Sequence, residues 1–173
     1  MELDSVNLKE VGNRLIQTEQ KADIRILNST LENSNSGIIL DDSSLLMKNS
    51  TFSQLGSMGG RQDGICVKGV NPVSLSIENS TFSDNVGDQI GCLSLSCSVS
   101  KNCSYSIVDS TFSNNSASLK GGAIYYDSYK PIITNTTFLN NSAIYGPDVA
   151  GYPIKIVQED GSSTITYEEV ASG

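Results

Sequence analysis

The sequence predicts an all-β fold, a single-stranded right-handed parallel β-helix (solenoid) of about five to six coils. Three observations carry this. First, the unit Asn-Ser-Thr-Phe or a near copy of it opens at Asn28, Asn49, Asn79, Asp109 and Asn135, giving periods of 21, 30, 30 and 26 residues. Self-similarity at such periods marks stacked repeats, not a closed globule. Second, apolar residues alternate around each opening. Two residues before it stand Ile26, Met47, Ile77, Ile107 and Ile133, and four before it Ile24, Leu45, Leu75, Tyr105 and Pro131. Three residues after it stand Leu31, Phe52, Phe82, Phe112 and Phe138. Period-two alternation with polar residues between (Arg25, Ser76, Glu78, Ser106, Thr134) is the pattern of a strand with one apolar face. Third, a glycine leads each unit into a second short apolar stretch: Gly37-Ile38-Ile39-Leu40, Gly64-Ile65-Cys66-Val67, Gly91-Cys92-Leu93 and Gly122-Ala123-Ile124-Tyr125.

Residues 1–23 lie outside the repeat. Leu8, Val11 and Leu15 fall at helical spacing behind Ser5 as a possible N-cap, so this segment is expected to be a short capping helix or an atypical first coil. Residues 24–156 form the repeats. A single unit of roughly three short strands and three bends cannot bury its own apolar face. Stacking at about 4.8 Å per rung, like residue over like, builds a continuous core. A β-sandwich is disfavoured because Asn-Gly or Asp-Gly signals do not recur between successive strands. The variable period suits turns that absorb insertions, and the long coils suit the right-handed type. Residues 157–173 follow the fading of the repeat after Gly146-Pro147. Here Ile154–Val157 and Thr164–Tyr167 flank Asp160-Gly161 as a capping hairpin, or the segment is a linker to a further module.

Composition narrows the function. The net charge is -8, with no cluster of Lys and Arg, which argues against nucleic acid and anionic membrane surfaces. No apolar run is long enough to span a bilayer, so no membrane insertion by this segment is expected. Met1-Glu2-Leu3-Asp4 lacks the order of a signal peptide and alone points to the cytosol. Four cysteines and many Asn-x-Ser/Thr sequons point instead to an oxidising secretory compartment, and an extracellular or cell-surface location is expected.

Phe-x-x-Asn occurs at Phe82/Asn85, Phe112/Asn115 and Phe138/Asn141, and Gly121-Gly122-Ala123-Ile124 occurs once. Together these resemble the repeats of the polymorphic outer membrane protein family. The stretch from Asn140 to Asp148, followed by Tyr152-Pro153, looks like large secreted β-helix proteins of ciliates. The likeness covers roughly residues 24–156. It departs at Leu55 and Ser34, where Phe-x-x-Asn fails. It implies a surface-exposed adhesive or scaffolding protein on a pectin-lyase-like fold.

Asn28, Asn49, Asn79 and Asn135 each open a sequon, with Asp109 in the fourth slot. They are expected to form an inward asparagine ladder at a bend, an arrangement that excludes a glycan at the same site and accommodates Asp109, with glycosylation of Asn28, Asn49, Asn79 and Asn135 the less favoured alternative. Asn85, Asn115 and Asn141 are expected to add to such a ladder. Asn114 and Asn140 each precede one of these, so alternation turns them outward, and with Asn102 they are the preferred glycosylation sites. Asn71 is excluded by Pro72. Cys97 and Cys103 are expected to staple a loop, and Cys66 and Cys92 either bridge neighbouring rungs or remain buried thiols. With no His and no Cys-x-x-Cys, no metal or cofactor is expected.

Right-handed β-helices also cleave polysaccharides, which needs paired carboxylates or a base beside calcium ligands. Asp41, Asp42, Asp84, Asp88, Asp127 and Asp148 all sit in turns and do not recur as a pair, and Asp84–Asp88 is at most a weak calcium loop. Tyr125, Tyr126, Tyr129, Tyr145 and Tyr152 are either an exposed binding stripe or half-buried strand residues. The sequence therefore favours a non-enzymatic, N-glycosylated structural or adhesive solenoid. Its expected partners are copies of itself or further modules, and the alternative is a carbohydrate-active enzyme or carbohydrate-binding module.

Overall fold

The computed structural model describes residues 1–10, 14–18, 20–56 and 66–152, and beyond these the strand backbones Lys155–Gln158, Ile165–Glu168 and Val170–Ala171. Every regular element among the described residues is a strand. The chain visits three parallel sheets in turn and repeats the circuit, with six strands in each sheet, about five turns in all. The first sheet stacks Glu2–Asp4, Asp23–Leu27, Ser44–Lys48, Ser74–Glu78, Ser104–Val108 and Ile132–Thr134. The second stacks Asn7–Lys9, Thr30–Glu32, Thr51–Ser53, Thr81–Ser83, Thr111–Ser113 and Thr137–Leu139. The third stacks Arg14–Gln17, Ser36–Asp41, Val67–Val70, Leu93–Ser96, Ile124–Asp127 and Val149–Tyr152.

Register makes the core. Leu3, Ile26, Met47, Ile77, Ile107 and Ile133 lie in one file on the first sheet. Leu8, Leu31, Phe52, Phe82, Phe112 and Phe138 lie in one file on the second. The phenyl rings stack with centroids 5.5, 4.7 and 5.5 Å apart down the file. Ile16, Ile38, Val67, Leu93, Ile124 and Val149 supply the third wall. Interior members are fully buried, each such side chain contributing about 1.5–3 kcal/mol. The end members Leu3, Leu8, Ile133 and Phe138 are only half-buried, each having a file neighbour on one side alone among the described residues.

The glycines that lead into the third sheet have a steric reason. A Cβ on Gly37 would fall 2.0 Å from the Cys66 carbonyl oxygen, and one on Gly91 would fall 1.9 Å from that of Gly122. The neighbouring rung's backbone occupies the place of a side chain. Cys66 and Cys92, one rung apart, are disulfide-bonded with their Cα atoms 4.8 Å apart. Cys97 and Cys103 are bonded across the loop that leaves the third sheet.

Residues 1–23 hold no helix where described: they form the first strand of each sheet, so this segment is the atypical first coil. The spacing of Leu8 and Leu15 arises because each faces the core from a different sheet, while Val11 lies outside the described residues. At the other end Lys155–Gln158 and Ile165–Glu168 pair antiparallel as a hairpin. Val170–Ala171 then returns to pair with Tyr129–Lys130. The turn at Asp160-Gly161 lies outside the described residues.

Candidate functional site

The features that distinguish the surface lie along the corners between sheets. At the first corner Asn28, Asn49, Asn79, Asp109 and Asn135 all have φ between 45° and 51°. Asn and Asp tolerate this left-handed conformation far better than other non-glycine residues, so the bend itself selects them. Their side chains are exposed. The inward ladder expected at these positions is therefore corrected: the left-handed bend swings the side chain out of the strand alternation and points it to solvent. The amides still stack there. Nδ2 of Asn28 donates to Asp4 (2.9 Å), that of Asn49 to Oδ1 of Asn28 (3.1 Å), and that of Asn79 to Oδ1 of Asn49 (2.8 Å). Nδ2 of Asn135 donates to Asp109 (2.6 Å). Asp109 donates nothing to Asn79, because a carboxylate has no hydrogen to give.

The next residue of each unit turns inward and carries a ladder that the sequence reasoning missed. Ser29, Ser50, Ser80 and Ser110 are buried. Each hydroxyl donates to the carbonyl two residues before it and accepts the backbone N–H of the serine, or of Val6, one rung earlier. Thr136 holds the last position. The invariant hydroxyl after each opening residue was the available signal.

The buried asparagine ladder stands at the second corner. Asn85 and Asn115 are fully buried and Asn141 is half-buried. Nδ2 of Asn85 donates to Oδ1 of Asn115 (2.8 Å), and that of Asn115 to Oδ1 of Asn141 (3.0 Å). The same nitrogens reach the carbonyls of Phe52 (3.2 Å), Phe82 (3.0 Å) and, from Asn141, Phe112 (3.0 Å). Leu55 ends the ladder, its backbone N–H donating to Asn85. One residue before each ladder asparagine, and before Ser34 and Leu55 at the equivalent place on earlier rungs, the chain again enters the left-handed region, at Asp84, Asn114, Asn140, Asn33 and Gln54. Asn114 and Asn140 are exposed, and Nδ2 of Asn114 donates to Asp84 (3.1 Å). Asn102 is exposed on the Cys97–Cys103 loop.

The acidic residues are spread over the corners, and most bind a structural partner. Asp42 pairs with Lys101 (3.0 Å), Asp148 accepts from Asn141 (3.0 Å), and Asp127 accepts Ser96 Oγ and Cys97 N–H, both at 2.8 Å. Asp41 and Asp88 are exposed. No group of three or more His, Cys, Asp or Glu side chains able to hold a metal occurs among the described residues. The tyrosines make no stripe: Tyr125, Tyr126 and Tyr129 are buried, while Tyr145 and Tyr152 are exposed on the last coil. Lys120 lies over the Tyr125 ring at 3.9 Å, and Tyr129 donates to the Lys101 carbonyl (2.6 Å). Burial, helped by Asp127 and Tyr129, holds the Tyr105 phenol well above the ordinary tyrosine range.

The family model described as a right-handed β-helix region matches residues 14–170. The chain belongs to the right-handed β-helix family. No curated protein and no solved structure matches it. What this β-helix offers chemically is straight edges of exposed amide nitrogens, with carboxylates distributed along the corners. No helix among its described residues is long and apolar enough to cross a membrane.

Proposed function

We propose that this β-helix is a non-enzymatic extracellular structural or adhesive module, N-glycosylated on its corners, and a segment of a filament or cell-surface assembly. The observation that carries the reading is that its sequon asparagines stand exposed along the corners while four of its turn aspartates, Asp42, Asp84, Asp127 and Asp148, are bonded into the scaffold. Two disulfides suit an oxidising compartment. The Phe-x-x-Asn and Gly-Gly-Ala-Ile motifs resemble the repeats of the polymorphic outer membrane protein family, and the stretch from Asn140 to Asp148 with Tyr152-Pro153 looks like secreted ciliate β-helix proteins, which supports the adhesive role by analogy. The partners are other copies of the chain or neighbouring modules of a larger protein, joined coil to coil at open strand edges.

The second reading is a carbohydrate-binding or carbohydrate-active surface on the same fold, favoured by exposed Tyr145 and Tyr152 on the last coil. Purified secreted protein, incubated with plant, algal and bacterial polysaccharides, separates the two. The structural reading expects no new reducing or unsaturated ends and concentration-dependent assembly in sedimentation. Turnover of any polysaccharide by a strictly monomeric species overturns it.

A further inference from the structure

Seven sequons occur in the chain, at Asn28, Asn49, Asn79, Asn102, Asn114, Asn135 and Asn140. Each asparagine is exposed. Six of them fall in just two straight columns. The first corner holds Asn28, Asn49, Asn79 and Asn135, with Asp109 in the remaining slot. The second holds Asn114 and Asn140 on neighbouring rungs, since Ser113 pairs with Leu139.

Attachment sites in one column are one rung, about 4.8 Å, apart. Non-bonded carbons need about 3.5–4.0 Å. Two sugar rings stacked at the rung spacing leave no room for their acetamido and hydroxymethyl groups. In the first column the amides below them are held at that spacing, Nδ2 of Asn49 and Nδ2 of Asn79 each donating to the preceding side chain at 3.1 and 2.8 Å, and in the second Nδ2 of Asn114 donates to Asp84 at 3.1 Å.

We infer that glycans occupy these columns only at rungs at least two apart. The inference rests on the reading of the chain as a secreted glycoprotein. Asn135 is independent because Asp109, which cannot take a glycan, separates it from Asn79. Asn28 and Asn79 are occupied together, or Asn49 alone. One of Asn114 and Asn140 is occupied. Asn102, on its own loop, is independent. Folded protein thus carries at most five of its seven sequons.

The transfer itself is the usual one. The asparagine Nδ2 bonds to the anomeric carbon of an oligosaccharide borne on a polyprenyl pyrophosphate. The anomeric C–O bond breaks, the pyrophosphate leaves with the electron pair, and the nitrogen gives one proton to the transferase. Transfer precedes folding, so the spacing rule acts as selection. Chains with adjacent glycans do not stack and are not released.

The test uses full-length chain secreted from a eukaryotic host, with all sequon asparagines except a chosen pair changed to Gln. Intact mass is read on the secreted, β-rich fraction. The Asn28/Asn79 and Asn79/Asn135 pairs are expected to give doubly modified protein, and the Asn49/Asn79 pair only singly modified protein. Adding Asp109→Asn to the Asn79/Asn135 pair creates a third sequon, and no triply modified species is expected. Doubly modified, folded Asn49/Asn79 protein in the same proportion as Asn28/Asn79 overturns the spacing rule and leaves the glycoprotein reading standing. Absence of glycan from every pair overturns both. An unglycosylated bacterial preparation of each variant, compared by circular dichroism, separates loss of double occupancy from failure of the Gln variants to fold.

Discussion

Asp109 occupies a slot where the other repeats place asparagine, and the difference is one hydrogen-bond donor. Its carboxylate receives Asn135 but returns nothing to Asn79. In protein made without glycosylation, Asp109→Asn is expected to close that gap and stabilise the fold by roughly 0.5 kcal/mol, the low end for an exposed hydrogen bond. A rise in the urea midpoint at unchanged slope would show it. Asn115 is the opposite case, buried and bonded to Phe82, Asn85 and Asn141. Asn115→Ala strands the Phe82 carbonyl and the Asn85 amide, and each lost partner costs about 1–3 kcal/mol. Chemical denaturation measures the sum. Tyr105 gives a pH prediction. Its folded phenol ionises above the unfolded value of 10.0. The unfolded chain therefore loses the proton first, and stability present below that value drains away as pH climbs past it. Tyr105→Phe is expected to flatten this alkaline limb, read as the denaturation midpoint against pH, and to leave the acid side unchanged.

At the scale of elements, the second sheet is held by its ring stack. Phe82→Ala or Phe112→Ala is expected to cost about 3–5 kcal/mol, while Phe138→Ala, half-buried at the last rung, costs less. The ordering of the three in guanidinium unfolding checks it. This sheet was also the element most legible in the sequence, because its residues keep one spacing from the opening Asn and one chemical type at each place. The first coil was not legible. Its strands are three or four residues long, too short for alternation to separate them from helical spacing, and it lacks the Asn-Ser-Thr opening. The first-corner residues Asn28, Asn49, Asn79, Asp109 and Asn135 were read correctly as bend residues but assigned the wrong side, whereas Asn114 and Asn140 face outward as expected. Alternation predicts direction only while the backbone stays extended, and a left-handed residue breaks that rule. The serine ladder was written in the sequence and masked by the sequon it shares. Asp127 as an acceptor for Ser96 and Cys97, across a rung, had no local signature at all.

For the molecule as a whole, the disulfides do unequal work. Cys66–Cys92 closes a separation of 26 residues and Cys97–Cys103 one of 6. On the chain-entropy account the first contributes about 3.5 kcal/mol and the second about 2. Replacing each pair by Ala, singly and together, and comparing thermal midpoints tests that ranking. A smaller loss from the longer closure would show that the coil is already ordered without its bond.

The direction in which the amides lean has a further consequence. Between side chains, each nitrogen on the first, exposed corner donates to the rung before it, while on the buried ladder Asn85 and Asn115 donate to the asparagine of the rung after, with a second bond back to a Phe carbonyl of the rung before. Their dipoles therefore oppose one another, unlike the peptide units of an α-helix, whose moments add to fractional charges at its two termini. The two columns therefore offset one another in part, and an electric field would act on this molecule chiefly through the placement of its ionised side chains.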